Sequence, residues 1–137
     1  MPQPDVAALT NFATRYAEAW CSQDPHQVAA FFAENGSLRV NEGPVQTGRE
    51  AIAKVVHGFM TAFPDMVVTM DKLVPSANGV TFHWTLQGTN TAPGGTGKRV
   101  KISGQELWQI NTDGLIAASQ GTFDGKEFER QLLEGVE

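Results

Sequence analysis

The stretch from Val100 to Ile110, VKISGQELWQI, alternates with the period of a strand and constrains everything the chain can build around it. Val100, Ile102, Gly104, Glu106, Trp108 and Ile110 share one face, and Lys101, Ser103, Gln105 and Gln109 share the other with Leu107. The first face is apolar except at Glu106. A carboxylate that points into a core is costly unless it is paired, hydrogen-bonded or protonated. Two alternatives stand beside that reading: a bulge at Gly104 that rotates Glu106 outward, and a structural bond to a buried partner.

A chain of 137 residues is long enough to bury a real core and reads as one domain, residues 1–137. Apolar residues make up 41% and charged residues 18%, which excludes a disordered polymer. The net charge of −5 has no basic cluster behind it beyond Lys98-Arg99-Val100-Lys101. Nucleic acid is therefore not an expected partner, because Lys and Arg contacts to phosphate drive that binding. No window approaches the roughly 20 apolar residues of a membrane span, and MPQPDVAAL lacks the basic and apolar regions of a signal peptide. The single Cys21 has no internal disulfide partner, and no Cys/His spacing resembles a zinc site. The expectation is a cytoplasmic protein with no metal and no organic cofactor.

In chain order, Asp5 to Gln23 predicts a helix with Val6, Leu9, Phe12/Ala13, Tyr16 and Trp20 on one stripe. Asp24-Pro25 starts a short helix carrying Val28, Phe31 and Phe32, ended by Asn35-Gly36. Ser37 to Glu42 predicts a brief strand, and Gly43 to Gly48 a loop. Thr47 and Glu50 form a capping box for a helix to Phe63, with Ile52, Val55/Val56, Phe59/Met60 and Phe63 buried. Strands follow at Asp65–Val74 and Val80–Thr89, joined at Ala77-Asn78-Gly79, then the opening strand, then Leu115–Phe123. Residues 91–97 between them are too rich in Gly and Pro for regular structure. Asp124 and Glu127 make a second capping box, with Phe123 and Phe128 as a hydrophobic staple, before a C-terminal helix.

Helices first and an antiparallel meander after them predict an α+β fold. The helices pack on one face of a curved antiparallel sheet and leave a cone-shaped pocket. Trp20, Phe32, Val40, Met60, Phe82, Trp84, Trp108 and Gln120 are its expected lining. Such a lining suits an apolar small-molecule ligand.

Three segments carry a family resemblance: RYAEAWCSQDPHQVAAFFAENGSL, TGREAI and GTNTAPGGTGKRVKISGQELWQINTDGLI. In this order and spacing the chain resembles the nuclear-transport-factor-2-like superfamily, and within it the SnoaL-like and ketosteroid-isomerase-like proteins. The resemblance implies the cone fold (a cystatin-like α+β barrel) and a homodimer packed through the outer sheet face, where Thr81, Thr85, Gln87, Ser103, Gln105, Leu107 and Gln109 would lie. It does not imply one reaction, since the fold hosts isomerases, cyclases, hydrolases and plain binders.

Ketosteroid isomerases pair a Tyr on the first helix with a protonated Asp on a sheet strand. Here those positions match Tyr16 and Glu106. The isomerase base falls at Val40 and the SnoaL-like cyclase acid/base at Gly121, neither of which can move a proton. The Arg and Asp of limonene-epoxide-hydrolase-like proteins are replaced by His83, Trp84 and Thr85. The implied function is therefore a cofactor-independent isomerase or cyclase for an apolar, carbonyl-bearing substrate of polyketide or steroid type. Glu106 would be the acid or oxyanion donor and Tyr16 its helper, with His83, Asn41 or Gln120 as auxiliaries. The competing expectation is a non-catalytic ligand-binding or interaction module, with Glu106 and Tyr16 as core residues and the aromatics as filler. His83 falls on the polar face of its strand, and His26 and His57 are expected in solvent.

Overall fold

The computed structural model describes residues 6–136. Helix α1 runs over Val6–Trp20, so the expected start at Asp5 lies outside the described residues. Its stripe is buried as the periodicity requires, with Ala13 and Tyr16 fully shielded and Leu9, Phe12 and Trp20 nearly so. Helix α2, Pro25–Ala29, is capped by the Asp24 side chain, which accepts the His26 N–H.

The chain leaves helical geometry earlier than the sequence suggests. Strand β1 spans Phe32–Val40, taking in Phe32 and Asn35-Gly36. Phe32 pairs with Ile116 across the sheet, and the register then shifts before Ser37. Gly36 is needed for that close approach and does not cap a helix: a Cβ there would stand 2.8 Å from the Ile116 carbonyl oxygen. A two-residue strand β2, Gln46–Thr47, lies inside the expected loop. It takes Thr47 out of the capping box, and Gly48 (φ 93°) becomes the N-cap of α3, Arg49–Ala62, with no side-chain cap.

Strands β3 (Val67–Ser76), β4 (Gly79–Thr89), β5 (Arg99–Ile110) and β6 (Ile116–Phe123) form the antiparallel meander. The full order is β2-β1-β6-β5-β4-β3 in one open sheet of six strands. One pairing departs from the all-antiparallel expectation, since β1 lies parallel to β6. Helix α4, Gly125–Glu134, is capped by Asp124, which accepts the N–H groups of Lys126 and Glu127. The box is half made: Glu127 turns to Arg130 and Gln131. The Phe123 and Phe128 rings meet at 5.5 Å, as a staple should.

The β4–β5 ladder is continuous from Val80↔Trp108 to Thr89↔Arg99. No bulge occurs at Gly104, so the alternation of β5 is kept through Glu106. The inward face carries Val100, Ile102, Glu106 and Trp108 into the core, while Lys101, Ser103, Gln105 and Gln109 are exposed.

Candidate functional site

Pairing of β5 with β6 sets Glu106 opposite Gly121 and Trp108 opposite Ser119. Inward side chains on neighbouring antiparallel strands meet both directly and diagonally. Ser119 thus comes to rest beside Glu106. Its hydroxyl donates to Glu106 Oε1 at 2.7 Å, and the Trp108 indole N–H donates to the same oxygen at 3.0 Å. From α1 the Tyr16 hydroxyl reaches Oε1 at 3.0 Å and Oε2 at 3.2 Å. Three donors from three elements therefore converge on one carboxyl, and Oε2 is the less engaged oxygen.

Glu106 is 6% exposed and Tyr16 and Trp108 are fully buried. Burial pushes the Glu106 pKa above the ordinary carboxylate value, against the lowering effect of bonds from Ser119, Trp108 and Tyr16. Burial, and then the nearby Glu106 charge, push the Tyr16 phenol well above its usual range.

In front of the carboxyl lies a cavity of about 60 Å³. Its wall is drawn from every long element: Trp20, Phe59 and Phe128 from the helices, and Leu38, Val40, Val68, Phe82, Trp84, Leu86, Ile102, Gly121 and Phe123 from the sheet. Glu106 is the one ionisable side chain among them. A single water needs about 10–15 Å³ of such space, so the cavity takes a group of a few heavy atoms and not a polycyclic ring system.

Of the expected lining residues, Trp20, Val40, Phe82 and Trp84 are at the wall and four are not. Trp108 stacks on Phe82 at 4.9 Å and spends its N–H on Glu106, which puts it behind the acid. Phe32 is fully buried against Tyr16, with ring centroids 6.2 Å apart. Met60 is core filler on α3. Gln120 lies between inward-facing Ser119 and Gly121, so the strand turns it away; its amide donates to the Asn41 and Gly121 carbonyls.

Tyr16 touches Glu106 but does not reach the cavity wall. Asn41, at φ 52°, accepts the Phe123 N–H and ties β1 to the end of β6. His83 stays on the outer face, paired in register with Gln105. His57 is exposed and bonds Thr61, and His26 is exposed on α2. On that outer face the buried Thr85 hydroxyl bonds Asp71 at 2.6 Å and Ser103 at 2.7 Å.

The sequence reading missed Ser119, along with Phe59, Phe123 and Phe128 at the wall. The signal for Ser119 was a small polar residue two positions before Gly121 on an alternating strand. Its value depends on register with β5, which sequence does not give.

Among the described residues no group of His, Cys, Asp and Glu is arranged to hold a metal ion, and no helix is long and apolar enough to cross a membrane. The helix-backed curved sheet is of the ketosteroid-isomerase-like and nuclear-transport-factor-2-like class of fold. Within it the chain belongs to the SnoaL-like domain family, which matches residues 13–119. Solved structures agree on the fold. A protein of ketosteroid-isomerase-like fold from Catenulispora acidiphila, in complex with trimethylamine, is 21% identical at a TM-score of 0.77, covering 88% of this chain and 90% of its own. TsrD from Streptomyces laurentii is 21% identical at a TM-score of 0.80, over 95% and 98% of the two chains. A candidate SnoaL-like polyketide cyclase from Jannaschia is 16% identical at a TM-score of 0.81, over 97% and 96%. No curated protein sequence matches the chain.

Proposed function

We propose that the protein is a cofactor-independent, SnoaL-like acid/base enzyme that isomerises or cyclises an apolar, carbonyl-bearing substrate. The observation that carries this reading is that Glu106 is the sole ionisable group on the cavity wall. One such group in an apolar cavity suits a proton shuttle, because the base that takes the proton is also the acid that returns it. Glu106 takes a proton from the carbon next to the carbonyl, leaving an enolate, and returns it at another carbon of the same molecule. In a cyclisation the enolate carbon attacks a second carbonyl of the same chain, and the proton goes to the new alkoxide.

A carboxylate whose pKa is raised by burial is a stronger base than one in water. Ser119, Trp108 and Tyr16 stabilise its charged form and fix its orientation, leaving Oε2 as the atom that exchanges the proton. Only the reacting end of a polyketide- or steroid-like molecule fits the cavity at its present volume. The same reading includes a homodimer through the outer sheet face, for which sedimentation velocity is the test.

The decisive experiment follows the conversion of a β,γ-enone to its conjugated isomer, and ring closure of a linear diketone, by the wild type and Glu106→Gln. Turnover lost in a folded variant supports the proposal, and unchanged turnover removes it. A second reading, a ligand-binding module without catalysis, is favoured by one observation: both Glu106 oxygens already accept hydrogen bonds from within the protein. Ligand retention with no turnover by the wild type would select it.

A further inference from the structure

The donors around Glu106 are chosen for an anion. An indole N–H can only donate, and the Ser119 and Tyr16 hydroxyls both direct their protons at the carboxyl. Buried anions in proteins are ordinarily matched by a cation. Here none is supplied: the ion pairs among the described residues both belong to Arg130, with Glu127 and Glu134 on α4. The elements packed round Glu106 contribute Tyr16 from α1, Phe82 from β4, and Ser119 and Gly121 from β6. Tyr16 is the only other titratable group among these, and it carries no positive charge.

The space in front of the carboxyl is unusually rich in rings. Trp20, Phe59, Phe82, Trp84, Phe123 and Phe128 all stand at the wall of a cavity of about 60 Å³. Aromatic walls attract alkylated ammonium groups through the ring quadrupole, and a desolvated anion adds to that attraction. Strongly hydrated cations are poorly served, because the cavity offers them no further oxygen ligands. A methylated ammonium sheds little water and matches both the rings and the carboxylate.

We propose that this cavity binds a small alkylated ammonium cation, with Glu106 as its counter-ion and the six rings as its cage. The assignment goes beyond the catalytic reading, although it uses the same cavity and the same Glu106. A cation seated there occupies the substrate's place, so it competes with a neutral carbonyl compound. Burial, which holds the Glu106 pKa up in the free protein, is opposed by the incoming charge. Affinity therefore rises as pH rises through the Glu106 titration.

The test is isothermal titration of the full chain at about pH 8 with tetramethylammonium chloride and, separately, with tert-butanol, an uncharged molecule of the same heavy-atom number. The expected result is at least a roughly tenfold preference for the cation. Glu106→Gln abolishes that preference, and Trp84→Leu weakens cation binding more than alcohol binding. The second variant alters a half-buried wall residue and keeps the test open should the first fail to fold. Equal affinity for the two ligands, no binding of tetramethylammonium, or cation binding unchanged in Glu106→Gln overturns the assignment. Ammonium preference absent while enone turnover persists sinks the ligand and leaves the enzyme. Ammonium preference present with no turnover does the reverse.

Discussion

Ser119 Oγ stands 2.7 Å from Glu106 Oε1, joining two strands through a bond whose two ends are both shielded from water. With Trp108 on the same oxygen, it holds Oε1, while Oε2 keeps a single bond from Tyr16. This contact makes an acid in the core tolerable, and its removal should be felt in both stability and proton affinity.

Ser119→Ala deletes a donor to a buried carboxylate. The expected loss is about 1–3 kcal/mol in urea unfolding. Because the Ser119 bond lowers the Glu106 pKa, its loss raises that pKa further. The basic form of Glu106 then appears at higher pH, and the rising limb of the rate profile moves alkaline. Tyr16→Phe should move it the same way, with turnover reduced less than in Glu106→Gln. A change in stability with an unmoved pH profile would show that these bonds are structural only.

Stability itself should depend on pH through the same group. Glu106 has a folded-state pKa raised above its unfolded value, so between the two the native state holds a proton the unfolded chain has lost. Its contribution is fully present below the unfolded pKa and falls as pH rises through the folded one. Denaturation midpoints measured across that window should decline in the wild type, and Glu106→Gln should remove this component of the slope.

Gly104→Ala tests the packing that brings β4, β5 and β6 together beside the acid. A Cβ at Gly104 would meet Trp84 Cζ2 and the Thr122 carbonyl oxygen at 2.5 Å and Phe123 Cβ at 2.9 Å. Overpacking of this kind costs about 1–3 kcal/mol. A drop in Tm with displaced Trp84 fluorescence is the expected outcome, since Trp84 and Phe123 both line the cavity.

Asp124→Ala removes the side-chain cap of α4, where Asp124 Oδ1 accepts two backbone N–H groups at 3.1 Å. The expected cost is about 1 kcal/mol. Because α4 carries Phe128 to the cavity wall, amide exchange should quicken across α4 before it quickens in β5.

What could be read from the sequence was whatever repeats locally. The two-residue period of β5 placed Glu106 inward, and the three-to-four period of α1 placed Tyr16 on the buried stripe, 90 residues away in the chain. The contact between them was legible only through the family resemblance. Local pattern failed where pairing at a distance overrides it. Phe32 to Gly36 looks like a helix end, yet β1 is drawn into parallel pairing with β6, and Gly36 serves that approach. Thr47 has the chemistry of an N-cap, but β2 takes it and Gly48 supplies the turn. Trp108 was read as ligand-facing because its face was correct; its stacking on Phe82 decided which side of the acid it occupies. Ser119 needed the β5–β6 register, which no local period encodes.

Glu106 is an ionisable group at the wall of an apolar cavity, its proton affinity raised by burial and lowered by the Ser119, Trp108 and Tyr16 bonds. Carbon-detected NMR titration of the Glu106 side-chain carboxyl, assigned by its absence in Glu106→Gln, measures this directly. The expected midpoint lies above the ordinary glutamate value of about 4.3 and moves higher again in Ser119→Ala. A midpoint at or below the ordinary value, unmoved by Ser119→Ala, would contradict it.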